Sequence, residues 1–449
     1  MKSTQNYIVL TLVHALLGFV IFSFKPFSKF YFGIALVYFI GSIIVAHNDK
    51  KTLVVLKACA YFVGAEVLFR MTRGGIAYES SKYLVILFML MGMFFKGVSG
   101  RGYPYFMYLI LLIPSIFVAS LDLRFDANFR TDLAFVLSGP VCLGLASLFL
   151  FDRKVSYKEV FEMLFFMTLP IVTTTFYLLF FNPSIKDTIA NTSSNFAASG
   201  GFGPNQVSTV LGLGIFGFTV RLLLKSPTLG LKIFNSIFLI LIAYRAVITF
   251  SRGGVFAAII TITAFLVILY SKALPKLKTK LLGSLGLLLI SFVLAWVISS
   301  SSTMGLIDKR YANEDALGRE KQDLSTGRLD LILNELDGFI ENPFVGIGAS
   351  ITKYRREGRS IVTHNEVSRL LSEHGIIGIV ILLILIFTPL SYRSKNKKNI
   401  FLYAFLAFWF ATINHSAMRL AAPAFFYSLS LINIKNEKPP IHRKRAIQQ

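Results

Sequence analysis

The chain has 449 residues, 55% of them hydrophobic and 15% charged, with 44 phenylalanines and a net charge of +23. A soluble chain carries about 25% charge, and apolar runs near the roughly 20 residues needed to cross a bilayer recur here from end to end, which excludes an ordinary soluble protein. The positive charge would suggest a nucleic acid partner in a soluble chain, but Lys and Arg gather at 50–51, 153–154, 272–280 and 393–398 and in a tail at 435–445, all short connections or ends. That is how positive-inside orientation distributes charge, so no nucleic acid partner is expected.

Spans are predicted near residues 6–24, 30–47, 52–70, 82–96, 103–121, 131–151, 161–182, 205–223, 231–250, 254–270, 281–299, 365–389, 399–417 and 420–434. The fourth and the last are short, so the expectation is an all-α, polytopic bundle of twelve to fourteen spans. The first run lacks a small-residue cleavage site and reads as a retained span. With the amino terminus in the cytoplasm, the Lys-rich connections, 96–101 and the tail all fall on the cytoplasmic side. Connections 183–204 and 300–363 then fall outside, with Lys25, Lys29, Arg70 and Arg73 as basic exceptions there. The chain thus divides into N-terminal transmembrane helices (1–204), central transmembrane helices (205–299), an outer loop (300–363), C-terminal transmembrane helices (364–434) and a basic cytoplasmic tail (435–449). Cys59 and Cys142, the only cysteines, lie in apolar runs and read as packing residues. No internal repeat or interrupted span is evident.

Segment 300–363 is too polar to span and too long for a turn. Leu329, Leu333, Leu336 and Ile340 stand at helical spacing. Ser325 or Thr326 could cap that helix and Asn342-Pro343 would end it, so a short amphipathic helix is predicted over the membrane mouth.

The strongest local signal is Thr363-His364-Asn365-Glu366 before an apolar run. Thr363 and Glu366 have capping-box spacing, which predicts His364 and Asn365 in a first helical turn whose positive dipole end favours a neutral, proton-accepting imidazole. The plainer alternative is a surface histidine beside an ordinary cap. Glu366, Arg369 and Glu373 then form one polar stripe. At membrane depth such groups are functional candidates; were the helix to start later, they would simply be solvated. Arg252, in Ser251-Arg252-Gly253-Gly254, stands at the outer end of two spans, with Arg245 two turns earlier on nearly the same face if the helix continues. Arg328 opens the loop helix. Arginine offers a planar fork suited to phosphate, so these three predict an anion site near the candidate base, although each alone reads as an interface anchor. No nucleotide loop or zinc spacing is present, so neither metal nor cofactor is expected and the energy would come from the substrate.

These pieces also carry a resemblance. SRGG at 251–254, GRLDLIL at 327–333, ENPFVGIG at 341–348, His364-Asn365 followed by nine residues and Gly375-Ile376-Ile377-Gly378, and GGFGPNQ at 200–206 occur in the order seen in the O-antigen ligase and O-antigen polymerase superfamily, which the chain resembles. The resemblance implies a metal-independent, inverting membrane glycosyltransferase of the bacterial inner membrane, acting at the periplasmic face on a glycan carried by undecaprenyl diphosphate. It implies that Arg252 and Arg328 hold the diphosphate and that His364 activates the acceptor hydroxyl, with Asn365, Glu366, Arg369 and Glu373 around it. Family members often carry an aromatic residue where this loop helix reads Leu329 to Leu333, a departure that bears on acceptor contacts. Within the family two readings stay open: a polymerase of O-antigen or exopolysaccharide repeat units, which is preferred, and a ligase delivering glycan to lipid A-core. A flippase or transporter of lipid-linked glycans is the reading from another class; it would predict repeats and spans interrupted near midplane.

Overall fold

The computed structural model describes residues 2–122, 127–182, 191–321, 327–354 and 363–435. The tail beyond Lys435 and the proposed caps Ser325 and Thr326 lie outside the described residues. The described chain is almost wholly helical: α1 (Lys2–Ser23), α2 (Phe27–Val45), α3 (Lys51–Thr72), α4 (Ser80–Lys96), α5 (Tyr103–Leu111), α6 (Pro114–Asp122), α7 (Ala127–Leu150), α8 (Tyr157–Phe181), α9 (Pro204–Leu224), α10 (Leu229–Ile248), α11 (Arg252–Lys272), α12 (Pro275–Ser302), α13 (Leu306–Tyr311), α14 (Arg328–Glu341), α15 (Glu366–His374), α16 (Ile376–Lys395), α17 (Leu402–Ser416) and α18 (Ala421–Leu429). Strands β1 (Lys154–Ser156) and β2 (Asn433–Lys435) pair in parallel and tie the connection after α7 to the chain beyond α18. The helical habit follows from the medium, because a backbone in hydrocarbon must satisfy its polar groups internally.

Among the described residues, eleven segments are long and apolar enough to cross a membrane. The chain is a multi-pass membrane protein. Hydrogen bonds between connections sort them into two faces. On the basic face, Arg153 Nη1 donates to Lys96 O (3.2 Å) and Asn433 N to Arg153 O (2.8 Å). On the other, called here the loop face, Asn195 N donates to Thr249 O (3.2 Å), Ala417 N to His364 O (3.1 Å) and Arg70 Nη2 to Arg419 O (3.1 Å). This alternation fits fourteen passes, three of them made by the short helices α4, α17 and α18. At 1.5 Å per residue α18 is only about 14 Å long, against a hydrocarbon core of about 30 Å. It is tolerated because every residue from Ala421 to Leu429 is buried in protein. The turn before it is recessed: a Cβ added to Gly139, in the middle of α7, would lie 2.4 Å from Met418 O.

Two predicted spans are broken. Segment 103–121 divides into α5 and α6 at Pro114, which cannot donate to the ladder. Segment 365–389 divides into α15 and α16 at Gly375, whose φ of +61° suits glycine. One loop segment fills both breaks. Ile376 N donates to Pro343 O (2.7 Å), Ile347 N to Ser372 O (2.9 Å), Gly348 N to Glu373 O (3.2 Å) and Ala349 N to Ser115 O (2.9 Å). A Cβ on Gly346 would lie 2.4 Å from the Glu373 carbonyl carbon, and one on Gly348 would lie 2.5 Å from Ala119 N. The glycines of ENPFVGIG therefore exist to let backbone meet backbone. The expectation of uninterrupted spans is corrected, but the breaks are occupied by the protein's own chain.

The loop helix forms where periodicity predicted it, with one inversion. Leu329, Leu333 and Ile340 are 56%, 50% and 72% exposed, while Glu335 and Gly338 are buried. The apolar stripe thus faces outward from the protein, and the helix rests on α15 by its polar side.

Candidate active site

The floor of the loop face is built from SRGG and the start of α9. Ser251 Oγ donates to Asn205 Oδ1 (2.6 Å) and Ser208 Oγ to Ser251 Oγ (3.0 Å). Gly254 is needed because a Cβ there would reach 2.2 Å from Ser208 Oγ and 2.5 Å from Thr209 N, and Gly253 because one there would meet the His415 ring at 2.3 Å. GPNQ and SRGG are two halves of one joint. α10 and α11 do not continue into one another across it: the chain breaks at Phe250, held at φ +57°.

That break separates two arginines expected to act together. Arg245 is 1% exposed and donates through Nη2 to Ala198 O (2.8 Å), pinning the 195–201 turn. It lies under that turn and does not join the other two, because the helix on which its register with Arg252 depended ends at Ile248. Arg252 instead meets α13. It bonds Asn313 Oδ1 and, at 3.4 Å, Arg310 O; Arg310 Nε donates to Phe250 O (3.2 Å). Burial, then the charges of Arg252 and Arg328, depress the ionisation of Arg310. None of Arg252, Arg310 and Arg328 forms an ion pair with a carboxylate among the described residues. Lys321 is pushed down by burial and by the Arg310 and Arg252 charges. Among the described residues the mouth concentrates positive charge, with three arginines that form no ion pair.

His364 stands beside it. The N-cap of α15 is Asn365, whose Oδ1 accepts from Val367 N (2.8 Å) and Ser368 N (3.2 Å). The predicted Thr363–Glu366 capping box is thereby corrected. His364 precedes the helix; Thr363 Oγ1 donates to Asn365 O (3.1 Å), and the Glu366 carboxylate is turned to Arg369. The neutral form is favoured all the same, for another reason: burial, then the charges of Arg419 and Arg328, lower the imidazole to about 3. Its Nδ1 is buried with no hydrogen-bond partner among the described residues. Arg419 Nη2 donates to Thr363 O (2.6 Å), which holds the strand that carries His364.

Below His364 the predicted stripe forms a closed ion network. Arg369 bonds Glu366 through Nε (3.2 Å) and Nη2 and bonds Glu373 through Nη1 (2.6 Å), all three side chains being at most 2% exposed. The alternative of a solvated face is excluded. Glu373 Oε1 also accepts from Ser350 N (2.9 Å) and Thr352 Oγ1 (3.0 Å), which fastens the wedge segment to α15. Ser368 Oγ donates to the buried Glu335 of α14.

Four non-glycine residues around the mouth adopt left-handed backbone: Phe250, Asn313, Ser350 and Ala417. Each delivers a bond to a site group: Phe250 O to Arg310, Asn313 Oδ1 to Arg252, Ser350 N to Glu373 and Ala417 N to His364 O. Such conformations cost on the order of 1–3 kcal/mol each and persist where the surroundings impose them. A lipid-facing cavity of about 830 Å³ runs between α11 and α12 in the membrane region, lined by Val255, Ile262, Leu288 and Phe292 and reaching Trp296 and Tyr311 at the loop face. Tyr311 packs edge-on against Phe256, one turn below Arg252, at 6.0 Å.

Arg252, Arg310, Arg328, His364 and the break at Gly375 all fall within one stretch that resembles known proteins. Residues 237–383 match the family model described as O-antigen ligase. That stretch, about a third of the chain, is similar to the O-antigen ligase and polymerase superfamily. No curated protein matches the chain. The match supports a membrane glycosyltransferase-like role in O-antigen assembly, as the ordered motifs implied. It leaves outside Arg70, Asn205, His415 and Arg419, which complete the loop face. Of these, sequence reading had Asn205, within GGFGPNQ, and Arg70, as a topological exception. It is buried, paired with Glu66 and Glu79 and bonded to Gln206 Oε1 (3.2 Å). Arg310 and Arg419 were missed. A lone arginine between two apolar runs, as Arg419 is, was a readable signal; Arg310, in a run of mixed charges, offered none.

Proposed function

We propose that this protein is an inverting glycosyltransferase of bacterial surface polysaccharide assembly, moving a glycan from a polyprenyl diphosphate of the undecaprenyl type to an acceptor sugar hydroxyl at the periplasmic face of the inner membrane. The observation that carries this reading is the juxtaposition of three guanidinium groups, free of carboxylate partners among the described residues, with a neutral histidine, above an apolar membrane cavity. The cavity suits the isoprenoid chain, Arg252, Arg310 and Arg328 the diphosphate, and His364 the acceptor hydroxyl. His364 takes the hydroxyl proton; the acceptor oxygen forms a bond to the anomeric carbon from the side opposite the diphosphate; the bond from that carbon to the diphosphate oxygen breaks, and the diphosphate leaves with the electron pair. Its developing charge meets fixed arginines, which accounts for catalysis without a metal in this reading.

Donor binding also prepares the base. A diphosphate between the arginines offsets the charges that hold His364 low, so its proton affinity rises when the donor is in place. Asn365 caps α15 and fixes the approach of His364, while Glu366, Arg369 and Glu373 hold the wedge and are positioning residues. Arg245 supports the 195–201 turn.

The acceptor is read as a second lipid-linked repeat unit, which makes the protein a polymerase. The second reading is a ligase, which the description of the matching family supports, with lipid A-core as its proposed acceptor. The test is transfer by purified protein from a defined lipid-diphosphate glycan to each acceptor. Elongation on the lipid-linked unit supports polymerase, product only on lipid A-core replaces it with ligase, and no transfer to either acceptor sinks the enzymatic reading. A transporter reading is disfavoured because both broken spans are plugged by the 342–352 segment, leaving no passage there.

A further inference from the structure

The basic face carries a second polar pocket, of about 690 Å³, between the ends of α1, α9, α10 and α12. Arg221, Lys225, Lys232 and Lys280 line it with Thr4 and Ser226, and no carboxylate does. Arg221, Lys232 and Lys280 form no ion pair among the described residues.

Positive-inside orientation alone explains lysines on this face; it does not explain a built wall. The Arg221 guanidinium sits over the Tyr7 ring, 3.6 Å from its centroid, and 5.0 Å from that of Phe165, while its Nε is buried with no hydrogen-bond partner among the described residues. Tyr7 Oη donates to Asn235 Oδ1; Asn235 Nδ2 donates to Ser226 Oγ (2.7 Å), and Ser226 Oγ to Arg221 O (2.9 Å). Asn235 is fully buried. This chain of bonds joins α1, α10 and the α9–α10 turn and fixes both the Arg221 backbone and the Tyr7 ring against which its guanidinium is held. An orientation anchor needs no such fixing, because a mobile side chain snorkels to the interface unaided. Arginine held rigid in a pocket of cations is instead the arrangement that recognises phosphate oxygens. The pocket also opens beside lipid-facing surface: Ile233 and Ile237 of α10 are 48% and 50% exposed, and Leu277 of α12 lines the rim.

We propose that this pocket binds a phosphate-bearing anion on the basic face, remote from the loop-face site, and that a glycerophospholipid headgroup is its source. The proposal is independent of the transfer reaction. It is tested on the full chain by native mass spectrometry after reconstitution in equal phosphatidylcholine and phosphatidylglycerol. The wild type should keep phosphatidylglycerol at least about tenfold over phosphatidylcholine through detergent washing. Arg221→Gln/Lys280→Gln should lose that preference. The charge-matched control Lys158→Gln/Lys276→Gln, whose lysines lie on the same face outside the pocket, should retain it. Equal retention in both double variants overturns the proposal, as does a wild type without preference. A parallel arm with inorganic phosphate separates the sources: displacement of the lipid by millimolar phosphate keeps the site but reassigns it to a soluble phosphate. Thermal unfolding of each variant in detergent checks folding, and Arg221→Lys, which keeps charge but not the fork, should recover only part of the preference.

Discussion

Two groups of arginine sit on the same face of this protein and could hardly be more different. Arg369 is enclosed by Glu366 and Glu373, with every side chain buried. Arg252, Arg310 and Arg328 form no ion pair with a carboxylate among the described residues, and after burial the Arg252 charge lowers the ionisation of both Arg310 and Arg328. A neutralised cluster inside a protein is structure, since its components satisfy each other. An uncompensated one costs free energy and is retained where a ligand of opposite sign completes it. The difference separates what holds the site together from what the site is for. Substitutions in the first cluster should move stability, and substitutions in the second should move chemistry.

The largest effect is expected at His364. His364→Ala should reduce kcat by about 100- to 10,000-fold, the range for removing a general base, with membrane insertion and thermal unfolding unchanged. Its Nδ1 holds no hydrogen bond among the described residues, so none is lost at that atom. Full activity would remove the base assignment.

Next comes the neutralised cluster. Arg369→Met leaves two buried carboxylates facing one another and should cost about 3–5 kcal/mol of stability. The triple change Arg369→Met/Glu366→Gln/Glu373→Gln removes the uncompensated charge and should regain most of it in thermal unfolding. If the single and triple variants unfold alike, the network is not closed as described. Arg252→Lys should do the reverse. Charge is kept and the fork is lost, which is worth roughly tenfold in kcat/KM for the donor, with no change in unfolding. A change in unfolding without a change in kinetics would return Arg252 to an anchoring role.

The membrane class, the alternation of faces, the loop helix and the HN-to-GIIG segment were legible in the sequence because composition and periodicity act over whole spans. What was not legible has one physical root: breaks. Phe250 interrupts the helix on which the pairing of Arg245 with Arg252 rested. Gly375 and Pro114 interrupt two apolar runs that hydropathy reads as continuous. Nothing in one segment announces that 342–352 will fill both gaps. The outward apolar stripe of α14 was hidden for a related reason, because periodicity fixes which residues share a face but not what that face meets. Asn365 as N-cap, against Thr363, was a choice between two good capping residues that only the buried Arg369 decides, by taking Glu366 away from a capping box. His415 was concealed in a span, and its role in requiring Gly253 appears only when α17 is laid on α11.

The smallest and most discriminating effect is on pH dependence, where the mouth itself acts on the base. His364 is lowered to about 3 in the free protein, with Arg419 and Arg328 among the causes after burial. A depressed base stays in its proton-accepting form until the pH approaches that value. The acid limb of kcat/KM, which reports the free enzyme, should therefore be absent as pH falls from 8 to about 5. In the donor complex the diphosphate offsets the arginines, so the limb of kcat should stand at higher pH than that of kcat/KM. Arg328→Gln removes one of the depressing charges. It should move the kcat/KM limb upward while weakening donor use by about tenfold, a pairing that a loss of packing alone does not produce. A wild-type kcat/KM limb near pH 6.5 that Arg328→Gln leaves in place would mean that the titrating group is not His364, and that the mouth and the base do not communicate through charge.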